Sequence, residues 1–102
     1  MVKRTPPALG LAELEEFPGG DLVAAGLADL ETQTKSEAAL LVSLAAPRLQ
    51  GLGLVVPELK GVSQSYEHAL YEAIEARMPE GAHAEYNALI RRIVSFANAY
   101  HP

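Results

Sequence analysis

Apolar residues along this chain recur at three- and four-residue intervals, and clusters of Pro and Gly, with one capping signal between them, cut that pattern into five helical pieces. Leu11, Leu14 and Phe17 suggest a short amphipathic helix that enters at Thr5-Pro6-Pro7 and stops at Pro18-Gly19-Gly20. Asp21 is expected to cap a second helix, from Leu22 to about Leu30. Its inner side carries Leu22, Val23, Gly26, Leu27 and Leu30, and its outer side Asp21, Ala24, Ala28 and Glu31. Thr34-Lys35-Ser36-Glu37 fits the capping box, with a hydroxyl at the N-cap and a Glu three residues later.

The helix expected next, Lys35 to about Gln50, has no wet side. Ala38, Ala39, Leu40, Leu41, Val42, Leu44, Ala45, Ala46 and Leu49 point in almost every direction around its axis. Only Ser36, Ser43 and Gln50 make a narrow polar stripe. A helix apolar all round must be buried all round. Pro47 removes the bond to the Ser43 carbonyl and should kink or break the helix near that point. Gly51 and Gly53 end it. Leu54-Val55-Val56-Pro57 looks extended, but a single strand makes no sheet, so it is read as an apolar connector lying on the helices.

The cleanest periodicity lies at the C-terminal end. Residues 65–78, capped by Ser63 or Gln64, line Tyr66, Leu70, Ala73, Ile74 and Met78 on one side and His68, Glu72 and Glu75 on the other. After the Pro79-Glu80-Gly81 break, residues 82–100 place Ala82, Tyr86, Leu89, Ile90, Ile93, Phe96, Ala97 and Tyr100 on one face. Asn87, Arg91, Ser95 and Asn98 take the other. So short a break makes the two helices an antiparallel hairpin. The expected fold is all-α: one compact bundle of about five helices over residues 1–102, with an apolar central helix (35–50) and a C-terminal helical hairpin (65–78, 82–100).

Leaving four Leu or Val side chains of the central helix in water would cost on the order of 6–10 kcal/mol, which rivals the whole stability of a domain. The rest of the chain can surround them, or a second copy can. With only 102 residues the surface-to-volume ratio is high. The sequence therefore predicts self-association, with Leu40, Leu41, Leu44 and Leu49 at the interface.

Composition narrows the function more than it identifies it. The chain has no Cys, which excludes disulfides, thiolate metal sites and thiol nucleophiles. Its net charge of −5 argues against nucleic acid as a partner. Its longest uncharged run, Ala38–Pro47, falls far short of a membrane span, and no signal-peptide core follows Lys3 and Arg4; the expected setting is cytoplasmic. Ala and Leu dominate while Asn and Gln are scarce, a bias that suits a high-GC, heat-adapted bacterium. Seven acids and one base, Lys35, lie between Thr5 and Pro47, whereas Arg91 and Arg92 lie beyond Glu85. The plainer reading is a solvated acidic surface; the sharper one is that the last helix docks against the acidic half, within the chain or between copies.

Two constellations suggest chemistry. His68 and Glu72 are four residues apart, Glu75 follows, and Glu80 precedes His83 at Glu-x-x-His spacing, a donor set suited to a divalent metal. Arg77 and His83 together suit phosphate chemistry of a ribonuclease type, a cation for charge and an imidazole for proton transfer. Both lie on polar helix faces, where solvated surface is the commoner meaning. The principal expectation is therefore a non-enzymatic interaction or scaffold protein with no cofactor and no bound metal, partnered by itself or another protein. The alternatives are a metal-dependent or ribonuclease-type enzyme using His68, Glu72, Glu75 and His83, or an antitoxin-like regulatory partner.

Overall fold

A computed structural model describes residues 11–100. They form six helices: α1 (Leu11–Leu14), α2 (Gly20–Glu31), α3 (Glu37–Leu44), α4 (Ala46–Gly51), α5 (Tyr66–Arg77) and α6 (Ala82–Ala99). The fold is all-α, with no strand among the described residues. The expected helix entry at Thr5-Pro6-Pro7 lies outside them. The sixth helix arises where Pro47 was expected to act. The ladder breaks at Ala45, and Pro47 sits in the first turn of α4, where its missing N–H has no partner to lose.

Helix α3 is the centre. Ala39, Leu40, Leu41, Val42 and Ser43 are five consecutive buried residues, a run possible only if neighbours stand on every side. Those neighbours are α2, α5 and α6 of the same chain. Leu40, Leu41 and Leu49 are at most 1% exposed within a single chain, and Leu44 is half-buried. The cover that the pattern demanded is thus supplied internally. Three of the four leucines expected between copies lie inside one chain, because α2 and the α5–α6 hairpin close over α3 from both sides.

Close approach of α2 to α3 depends on Gly26. A Cβ there would run into Val42 and the Ala38 carbonyl. Asp21 is not the cap of α2. The helix starts two residues earlier, at Gly20, after Gly19 in the left-handed conformation (φ 75°), and Asp21 points its carboxylate at Arg92 instead. Ala24, expected outside, is 4% exposed. The cap of α3 also moves, from Thr34 to Ser36. The Ser36 hydroxyl accepts from the Ala39 N–H at 3.0 Å and donates to Asp29 Oδ2 at 2.6 Å. Ser65, rather than Ser63 or Gln64, caps α5.

The last helix docks on the acidic half within the chain. Arg92 reaches Asp21 at 2.6 Å, while Phe17 meets Phe96 and Tyr100 edge-on at 6.0 and 5.3 Å. Tyr71 and Tyr86 close the α5–α6 hairpin at 5.7 Å. Among the described residues no helix is long and apolar enough to cross a membrane.

Candidate functional site

The residues singled out for chemistry do not assemble. His68 Nε2 lies 3.2 Å from Glu72 on the wet face of α5, both side chains more than half exposed. Glu72 also accepts from Gln64 at 2.9 Å; that bond first, then the His68 charge, holds its carboxyl below the usual range. Glu75 is exposed. His83 bonds along its own helix to Asn87 at 3.3 Å. No three His, Cys, Asp or Glu among the described residues come together as a metal set. The quartet of the enzymatic alternative, His68, Glu72, Glu75 and His83, is therefore not brought together. The α5–α6 turn separates His83 from α5, and neither element folds its polar face inward.

Arg77 is equally committed. Its Nε and Nη2 grip both oxygens of Glu37, at 2.6 and 2.8 Å, and Nη2 also meets Glu85 at 3.1 Å. These bonds push its pKa still higher, so it stays a cation at any working pH. Together with Glu37, Glu85 and Arg92, which in turn pairs with Asp21, it rims a cavity of about 220 Å³ floored by Leu22, Ala38, Leu41 and Leu89. The rim charges neutralise one another, and the arrangement is a clasp holding α2, α3, α5 and α6. It leaves no guanidinium free to meet phosphate beside His83.

The polar geometry that stands out lies around residues 54–60, a non-helical segment between α4 and α5 in which Leu54, Val55 and Val56 alternate inward, outward and inward as an extended chain does. Leu54, Val56 and Leu59 are buried, whereas Val55 is 79% exposed. One edge of this strap is held by a side chain in place of a neighbouring strand. Gln33 Nε2 donates to the Glu58 carbonyl at 2.8 Å, and Gln33 Oε1 accepts from the Lys60 N–H at 2.8 Å. Gln33 itself sits in the left-handed region (φ 56°), which turns its amide toward the strap. The N–H and C=O of Val55 have no partner in the chain.

Beneath the strap is a cleft of about 260 Å³ whose wall includes Ser43, Gln50, Val56, Pro57 and Tyr66. Ser43 is 6% exposed and is the one buried polar side chain among the described residues. Its hydroxyl has no hydrogen-bond partner.

No family model, curated protein or solved structure matches this chain.

Sequence reasoning missed Gln33 because its role depends on a backbone twenty-five residues away. Ser43 and Gln50 carried a signal, as two members of the polar stripe on an otherwise apolar segment. The side on which that stripe would open could not be read from one helix. Val94 is 46% exposed on α6.

Proposed function

We propose that the chain is a non-enzymatic, cytoplasmic interaction module that pairs with a second copy of itself through the outer edge of the 54–60 strap. The observation that carries this reading is Val55: a large apolar side chain left 79% exposed, on an extended backbone whose N–H and C=O are unpaired. An unpaired extended edge is a template for strand addition. About a twofold axis, two such edges meet antiparallel, and a pair centred on Val55 exchanges both backbone hydrogen bonds while packing the two valines together.

Charge supports the same partner. The chain as a whole carries −5, so two copies repel over most of their surface. In the strap, Glu58 and Lys60 cancel, and the copies can approach there without like-charge repulsion. Gly53 (φ 98°) and Pro57, which has no N–H, bracket the ladder and keep it short. The association is accordingly expected to be weak and reversible.

Light scattering across a concentration series tests it. The expected result is a mass rising from monomer toward dimer, with Val55→Lys remaining monomeric at the same fold content and melting temperature. A wild-type mass that stays at one chain throughout, or a Val55→Lys variant that dimerises equally well, would overturn the proposal.

A further inference from the structure

We infer that the cleft between α3–α4 and the strap is a binding site for a small uncharged organic molecule with an apolar body and a hydroxyl or amide head. This goes beyond pairing through the strap's outer edge and rests on different atoms. The inference starts from Ser43. Its neighbours on the same segment are Ala, Leu and Val, and an Ala at this position would leave no polar group to satisfy. A helical serine ordinarily turns its hydroxyl back on the carbonyl four residues earlier. Here the residue is only 6% exposed, and its buried hydroxyl bonds to nothing in the chain. A buried group of this kind is costly unless something bonds to it.

The cleft that Ser43 borders is the right size for a partner. Its volume is about 260 Å³, and a cavity of roughly 150 Å³ is enough to take a benzene ring. The walls divide into two kinds. Ala46, Val56, Pro57 and Leu59 offer an apolar seat, and Ser43 and Tyr66 offer hydroxyls beside Gln50 and Glu58. The Tyr66 hydroxyl already donates to the Leu59 carbonyl at 3.3 Å, so its oxygen is left to accept from a ligand. A head that both donates and accepts, as a hydroxyl or amide does, matches these two hydroxyls. The one ionisable carboxylate in the wall is Glu58, and no Lys or Arg faces it there, which disfavours an anion. An ammonium would have to lose its hydration against a neutral Ser43, which disfavours a cation.

Benzyl alcohol is a suitable probe, with toluene and benzoate as contrasts, followed through the backbone amide signals of the intact chain. Benzyl alcohol is expected to shift the signals of Ser43, Ala46, Val56 and Leu59 together along one saturating curve. Toluene, lacking the head, is expected to bind about tenfold more weakly, as one lost hydrogen bond implies, and benzoate more weakly still. Ser43→Ala is expected to keep or raise the melting temperature while weakening benzyl alcohol about tenfold. Ala46→Leu is expected to fill the cleft and abolish the shifts with the helix content unchanged. The inference is overturned if the shifts scatter over the surface, if toluene or benzoate binds as well as benzyl alcohol, or if Ser43→Ala binds it unchanged. It is also overturned if Ser43→Ala lowers the melting temperature, since the hydroxyl would then serve the fold.

Discussion

Gly26 sets how near two helices can come. Adding a methyl group there forces α2 away from the Ala38 carbonyl and Val42, and because backbone is one of the obstacles, side-chain rearrangement cannot relieve it. Gly26→Ala is expected to lower stability by about 1–3 kcal/mol. Gly51→Ala meets nothing and should be neutral or gain up to about 1 kcal/mol. Denaturant midpoints of the two variants, compared with the parent, check both. Asp21 shows how a single residue registers pH. The Arg92 guanidinium at 2.6 Å, chiefly through its hydrogen bond, holds the Asp21 carboxyl below its ordinary value. Its folded pKa is lower than its unfolded pKa, so its contribution is fully present above the unfolded value of about 3.9. That contribution is lost as pH falls through the lower folded value. Asp21→Asn should flatten that part of the acid limb in urea midpoints measured against pH. At neutral pH it should cost under about 1 kcal/mol, because both side chains are largely in water.

Helices are the scale at which the sequence was most readable. The spacing of Leu, Ile and Phe placed α2, α5 and α6 within a residue or two of their ends, and Pro47 announced the break between α3 and α4. The caps were harder, because a capping rule is local and several residues can satisfy it. Thr34 and Ser36 both precede Glu37, but only the Ser36 hydroxyl reaches the Asp29 carboxylate on α2, seven residues back, while Thr34 meets Asp29 through its backbone N–H alone. Thr34 pairs with Thr32 at 2.7 Å instead. Ser36→Ala is therefore expected to cost about 1 kcal/mol in thermal or chemical melts. Thr34→Ala should cost clearly less, reversing the order that the capping-box spacing alone implies.

For the molecule as a whole, the all-round apolar stretch was legible as something enclosed, but not what encloses it. A helical wheel reports how many directions are apolar and says nothing of which elements occupy them. Of the two late arginines, Arg92 meets the acidic first half, through Asp21. The cleft and the strap were half visible, as a polar stripe and an apolar connector, and their meeting depended on a glutamine that no periodicity marks. That glutamine carries a consequence for solution behaviour. By occupying one edge of the strap with its own amide, Gln33 stands in for the neighbour that a β-strand would otherwise recruit. Gln33→Ala should lower stability by only about 1 kcal/mol, yet it bares a second edge on an apolar, β-prone segment. The expected signature is a domain that still melts cooperatively but slowly forms thioflavin-positive fibrils on standing, while the parent stays clear. One side-chain amide would then guard a helical protein against amyloid.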